Sequence, residues 1–581
     1  MAQPDVVVIG AGPGGLAAAL QAAQAGARVT VLEKQAQVGG RTSILRRDGF
    51  QFDLGPTFFL YPQILCEIFA SLGRDLFSEI PMRRLDPQYR VTFGSGGKID
   101  ASPSLAQMEE QIGRLCPRDV GGLTRYMRDN RLKLNCFRPI LQSPFEHWTD
   151  VLRSKYLPAL RWLRPWRSLD EELGTYFSDP RLKIAFSFQS KYLGMSPFKC
   201  PSLFSILSFL EYEYGVYHPY GGCGRVSERM AEIARDMGVE FRLSESVVGF
   251  DFCGKRPEVV RTSKGRYRCD SVVINADFAE AMRTMVPDNL RRRWTDQRIS
   301  EKKFSCSTFM LYLGVRGLFP ELPHHSIHIT ADYSKNLREI EEEFVLPTDP
   351  SIYVQNASVT DVTLAPDGCS TLYILVPVPH QHANIKWDAA TKSMFRQRAL
   401  GQLRHLGLED VEKRIVTEHM VTPDDWHSRY SIYRGSTFNL AHGLDQMLHK
   451  RPHNRFEDLE GVFLVGGGTH PGSGLPVIYE SSRISCKQML PEIGLSIDFM
   501  QSSPSTPLSS GMGSLARPSE LARPSKAASG GPTAVEDRQP QAIEPAAEAV
   551  VAQSLVRSGE PFALTGMEQS SLSAEPTPAK E

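Results

Sequence analysis

No C-x-x-C pair occurs among the ten cysteines, which stand singly from Cys66 to Cys486, so neither a zinc ribbon nor a dithiol redox pair is encoded. Scattered single thiols fit a reducing, cytoplasmic compartment. Net charge is missing as well. The 66 Lys and Arg balance 66 Asp and Glu, which excludes a polyelectrolyte partner such as nucleic acid for the chain as a whole. The charge-free run 6–27 is rich in Gly and Ala, and a strand signature already starts at Asp5. It therefore reads as folded core, with no room for a leader and no membrane span. Aromatics nearly vanish after position 500, where Phe562 stands alone among Ser, Pro, Ala and Glu. Such a stretch cannot bury enough apolar surface to offset its ordering entropy, and 498–581 is expected to be a disordered tail.

The rest of the chain is globular in composition, with 41% hydrophobic residues. V-V-V-I-G (Val6 to Gly10) reads as a buried strand, Leu16 to Ala25 as an Ala-rich helix stopped by Gly26, and Val29 to Leu32 as a second strand. This is a βαβ unit with parallel strands and a right-handed crossover. Val239 to Leu243, Val247 to Phe252, Ser271 to Ala276 and Gly461 to Val465 read as further strands of the same sheet, separated by long insertions.

Gly10, Gly12 and Gly15 form G-x-G-x-x-G between the first strand and the helix. Bare backbone there permits a tight turn, close approach of a pyrophosphate to the helix N-terminus, and close helix packing. Glu33 follows the second strand, where a carboxylate can accept the ribose hydroxyls of an adenosine cofactor. Gly39, Gly40 and Arg41 come next, two unencumbered amides and a guanidinium suited to a second phosphate or a flavin oxygen.

With the fingerprint directly upstream, this G-G-R resembles the flavin amine oxidase and carotenoid desaturase superfamily. Further segments are similar to the bacterial phytoene desaturase family: Phe50 to Thr57, Tyr192 to Phe198, Gly215 to Gly222, Leu372 to His380, Gly435 to His442, Arg451 to Arg455 and Leu464 to Pro476. The likeness spans about residues 4–495. It implies an α/β fold with a discontinuous FAD-binding Rossmann-like domain (1–84, 241–284 and 441–497). Inserted into it would be a substrate-binding, membrane-associating segment (85–240) and a substrate-binding sheet (285–440). The cofactor contacts implied are Gly10, Gly12, Gly14, Gly15, Glu33, Lys34, Gly40, Arg41, Gly55, Val247 for adenine, and Gly466, Gly467, Gly468 and Gly474 of the closing loop. Many related flavoproteins carry an acid where this chain has Gly467, a departure that disfavours an ordinary amine oxidase.

The implied activity removes a hydride and a proton from adjacent carbons of phytoene or a related polyprenyl hydrocarbon, with oxygen or a quinone reoxidising FAD. Glu480 is the candidate acid or base, with a structural ion pair to Arg483 as its competing role. Leu203 to Leu210 is apolar enough to line a hydrocarbon tunnel. Segment 148–167 carries three of six tryptophans and, beyond Asp150, five basic residues without an acid. It reads either as a membrane-docking segment or as an internal helix with a cationic face, and a lipid-dissolved substrate favours docking. His324, His325, His328, His380 and His382 read as loop histidines with no metal role, and His442 and His470 as structural or flavin-neighbouring. Cys223 shows no paired base for nucleophilic work.

The alternatives are C30 dehydrosqualene desaturation, terminal-methyl oxidation and squalene-related dehydroxylation. Outside these chemistries stand an amine oxidase, for which no aromatic cage or flavin-near lysine is apparent, and a flavin-free prenyl-protein carrier resembling Rab GDP-dissociation inhibitor.

Overall fold

A computed structural model describes residues 3–160, 162, 164 and 166–501. The predicted tail from 502 onward lies outside them. Residues 498–500, expected in that tail, instead form a 3-10 turn with Met500 buried.

Five parallel strands form the central sheet, in the order Glu240–Arg242, Arg28–Leu32, Asp5–Ile9, Ser271–Ile274 and Val462–Leu464. The strand Asp5–Ile9 is apolar at nearly every position because helices or sheets cover both of its faces. Burying each valine there is worth roughly 1.5–3 kcal/mol. The helix Pro13–Gln24 follows after a three-residue turn, and its small residues let it pack closely on the closing helix Leu475–Glu492. Gln21, buried between them, is satisfied by donating to Ala17 O at 2.8 Å and Ser482 Oγ at 2.9 Å.

One expected strand belongs elsewhere. Val247–Cys253 pairs with Arg256–Thr262, which pairs in turn with Arg266–Arg268, in a separate antiparallel sheet. Short sequence separation lets these three strands close as a meander, whereas the parallel sheet needs crossovers.

The second large sheet has seven strands in the order Ile415–Val421, Ser307–Arg316, Cys369–Val378, Ile352–Gln355, His325–Ile329, Tyr89–Phe93 and Lys98–Ala101. All its pairings are antiparallel except that of His325–Ile329 with Tyr89–Phe93. Helices Gly122–Leu141 and Ile206–Tyr214 pack on each other and share a hydrophobic core with that sheet.

The basic tryptophan segment is not one helix. It folds as 3-10 turns at Trp148–Leu152 and Ser154–Tyr156 and a four-residue helix, Leu157–Leu160. Trp162 packs against the core, while Trp148 and Trp166 are 65% and 75% exposed. Among the described residues no helix is long and apolar enough to cross a membrane.

Candidate functional site

A cavity of about 730 Å³ runs from the glycine turn after the first strand to the inner faces of the inserted helices and the seven-stranded sheet. Gly10, Gly12, Glu33, Lys34, Gly40, Arg41, Gly55, Val247, Gly466, Gly467 and Gly474 all line it. Gly14, Gly15 and Gly468 do not. A Cβ on Gly14 would meet Asn275 Oδ1 at 2.8 Å and one on Gly468 would meet Phe278 Cβ at 2.7 Å, so these glycines serve packing behind the wall. Gly10 needs its freedom doubly. Its φ is +97°, and a Cβ there would sit 2.6 Å from Asn275 O.

Glu33 is buried with each carboxyl oxygen held by a backbone amide, Oε2 by Ala11 N and Oε1 by Gln35 N, both at 2.8 Å. Burial pushes its pKa up, and these amides oppose the shift. The fixed carboxylate keeps further lone pairs for hydroxyl donors. Lys34 Nζ donates to Ser431 Oγ at 2.7 Å. Arg41 donates to Thr437 O at 2.6 Å. Burial lowers its pKa and nearby Asp277 works against that, while burial raises Asp277 to about 6 with Arg41 opposing.

The closing loop is held from behind. Arg451, fully buried, donates to Gly467 O at 2.7 Å, Thr469 O at 3.1 Å and Leu440 O at 3.2 Å. It gathers these carbonyls from one side, while Gly466 N donates to Ser481 Oγ at 2.9 Å. His442 Nε2 accepts from Ser473 N at 2.9 Å, and burial keeps this imidazole neutral. His470 Nε2 donates to Ser143 O at 3.0 Å, its pKa lowered to about 4 by burial.

Glu480 also lines the cavity, but Arg483 Nη1 donates to its Oε2 at 3.1 Å and to Glu67 Oε2 at 2.6 Å. Cys223 is buried, and burial pushes its thiol well up, so it holds no thiolate. Two of the expected loop histidines sit in a buried strand: His325 and His328 lie in His325–Ile329, with His324 buried just before it. Partners make this burial tolerable. His325 stacks on Phe58 at 4.0 Å and hydrogen-bonds the Tyr353 hydroxyl at 2.7 Å, His324 hydrogen-bonds Thr360 at 2.8 Å, and His328 stacks on His405 at 4.2 Å. Among the described residues no group of three or more His, Cys, Asp or Glu side chains is arranged to hold a metal.

The far wall is apolar. Leu203, Phe204, Ile206, Leu207 and Leu210 present one side of their segment to the cavity, joined by Phe58, Tyr61, Phe188, Tyr192 and Tyr353. With Phe204, these rings come from four separate stretches of chain, and no local pattern announces that they meet. A lysine on this wall, Lys191, has its ammonium 2.7 Å from Glu341. Asn275 and Asp277 were also hidden in the sequence, being ordinary residues after an ordinary strand until topology sets them against the glycine turn.

A model of the family described as flavin containing amine oxidoreductase matches residues 13–490. The chain is 40% identical over 484 residues to a 4,4'-diapophytoene desaturase (4,4'-diapolycopene-forming) of Methylomonas sp, covering 83% of this chain and 94% of that protein. It is 33% identical to a lycopene-forming phytoene desaturase of Pantoea ananas, covering 84% and 99%. Among solved structures it resembles a putrescine oxidase double mutant at TM-score 0.54 and 18% identity, covering 84% and 99%, a likeness of fold alone.

Proposed function

Because this chain belongs to the flavin containing amine oxidoreductase family, we propose that it is an FAD-dependent carotenoid desaturase that introduces double bonds into phytoene or a related polyprenyl hydrocarbon. The observation that carries this reading is one continuous cavity whose near end is glycine, amide and Glu33 and whose far end is leucine and aromatic. A hydrocarbon without a polar handle can be held only by such apolar burial.

The residues fit FAD. Gly10 and Gly12 leave room for a pyrophosphate beside the helix N-terminus, and Glu33 is fixed to accept ribose hydroxyls. Arg41 can donate to a phosphate or flavin oxygen, and Arg451 fixes the Gly466–Gly467 loop through Gly467 O. Val247 lies where an adenine can pack. Bound flavin supplies the two-electron acceptor. The chain itself orients the hydrocarbon along the apolar wall and excludes water from it. We assign Glu480 to holding the closing helix through Arg483, not to proton transfer.

The C30 alternative is favoured by one observation: identity to the diapophytoene desaturase, 40%, exceeds that to the phytoene desaturase, 33%. We further propose that 1–84, 241–284 and 441–497 act as the FAD-binding part and 85–240 with 285–440 as the substrate part. Exposed Trp148, Leu152, Leu157 and Trp166, beside Arg153 and Lys155, would rest on a bilayer surface from which the hydrocarbon enters. Oxygen or a quinone would reoxidise the flavin.

Co-expression with a phytoene-forming or a dehydrosqualene-forming synthase tests the reading. Coloured polyene in the C40 or the C30 strain supports it and assigns the substrate; colour in neither, with flavin bound and protein folded, overturns it.

A further inference from the structure

Behind the aromatic wall lies a carboxyl that the account so far leaves unused. Glu211, on the helix Ile206–Tyr214, is fully buried in a hydrophobic core, where an acid without a function is an expensive choice. Its Oε2 accepts from Tyr89 OH at 2.9 Å and from Gln189 Nε2 at 2.8 Å. The Tyr192 hydroxyl and Glu211 Oε1 are both sealed from solvent with no hydrogen-bond partner among the described residues, and the nearby hydroxyl favours the charged form of the carboxyl. The Tyr192 ring, in contrast, lines the cavity.

The position of that ring matters. Phe58 lies 5.4 Å from Tyr192 and 5.5 Å from Tyr353, and Phe188 meets Tyr192 edge-on at 6.1 Å. Gly55, Pro56, Thr57 and Phe58 line the cavity consecutively. The aromatic wall therefore adjoins the cofactor end, where bonds of a substrate would be broken.

Resting on the desaturase reading, we propose that the Tyr192 ring stabilises the positive charge that develops on a substrate carbon as hydride departs, and that Glu211 is a positioning residue that polarises the Tyr192 hydroxyl. The balance of the desaturation is unchanged: a hydride and a proton leave adjacent carbons, and the C–H electron pair left behind becomes the new π bond. An aromatic face attracts a cation, more strongly where water is excluded, and an anion behind the ring adds to that attraction. The groups facing Glu211 are Tyr89 from the strand Tyr89–Phe93, Gln189 and Tyr192 from the turn Phe188–Leu193, Tyr212 from its own helix and Tyr126 from Gly122–Leu141, all uncharged near neutrality. Burial pushes Glu211 up to about 7. The polarising anion is then absent at low pH and present above neutrality.

The test uses purified holoenzyme with phytoene or dehydrosqualene in phosphatidylcholine vesicles, following anaerobic bleaching of the flavin from pH 5.5 to 9. The wild-type rate should rise with pH to a midpoint near 7. At pH 8.5, Glu211→Gln and Tyr192→Phe should each be slower by about tenfold, with flat pH profiles. Glu211→Asp should restore the slope. Flavin content and melting temperature monitor folding, and Tyr192→Phe, which removes one oxygen, carries the test should Glu211→Gln not fold. Variants with the wild-type rate and pH midpoint would overturn the inference. Wild-type protein that bleaches with neither hydrocarbon would overturn the desaturase reading itself, and this inference with it.

Discussion

Replacing Gly15 with alanine puts the glycine turn to a direct test. A Cβ at Gly15 would lie 2.1 Å from Gly10 O and 2.8 Å from Asn275 Nδ2. To restore ordinary contact the start of the helix Pro13–Gln24 must move by about 1 Å, the kind of overpacking that costs roughly 1–3 kcal/mol. Neither neighbour yields easily. Asn275 Nδ2 donates to Gly10 O at 3.0 Å, and Gly10 N donates to Leu32 O at 2.8 Å, so turn, strand and side chain are locked together. The gain in helix propensity returns at most about 1 kcal/mol. The larger effect falls on the cofactor, because the displaced amides no longer meet the pyrophosphate. Flavin-to-protein ratio after gel filtration, and Kd from titrating the stripped protein with FAD, should show affinity weaker by at least tenfold, with a melting temperature lower by a few degrees. Gly26→Ala is the control: its φ of +95° makes alanine strained, yet nothing stands within 4 Å, so stability falls while FAD affinity holds. Wild-type FAD affinity in Gly15→Ala would refute the close-approach argument.

Glu211 carries a raised folded pKa, from 4.5 to about 7, so the stability of its neutral form is present in full below pH 4.5 and lost as pH rises through 7. The total is at most about 3 kcal/mol, and the melting temperature of Glu211→Gln relative to wild type should therefore climb between pH 5 and 8; a constant difference would count against the burial argument. Arg451→Lys cannot reach Gly467, Thr469 and Leu440 carbonyls at once, and each lost bond from a charged donor is worth about 1.5–3 kcal/mol. Calorimetry and FAD titration should find stability and affinity falling together, and loss of neither would remove Arg451 from its role behind the loop. Trp148→Ala with Trp166→Ala should reduce co-sedimentation with phosphatidylcholine vesicles without moving the melting temperature, since both rings are exposed; unchanged sedimentation would argue against docking through this segment.

The βαβ unit was legible because its signals are local: an apolar run, a glycine turn and an Ala-rich helix in direct succession. Ser271–Ile274 and Val462–Leu464 were recognisable as strands of the same sheet, but Val247–Cys253 was not separable from them, since alternation marks a strand without naming its partner. The tryptophan segment misled in another way. Its composition suits an amphipathic helix, yet Pro158 cannot stand in the interior of a long one, and short turns result. The histidines at 324, 325 and 328 looked like loop residues because imidazole is polar; their burial depends on Phe58, Tyr353, Thr360 and His405, which only the tertiary fold delivers. Glu211 was silent for the same reason. A glutamate after an apolar stretch looks like a solvated helix end, and Tyr89, Gln189 and Tyr192 are remote or unremarkable until the fold converges them.

The most direct measurement of the central claim is pigment analysis of cells co-expressing this chain with either a C40 phytoene-forming or a C30 dehydrosqualene-forming synthase, alongside the absorption spectrum of the purified protein. The account predicts a flavin spectrum and a coloured conjugated polyene from one or both hydrocarbons. Folded, flavin-loaded protein that leaves both hydrocarbons colourless and unchanged would contradict it.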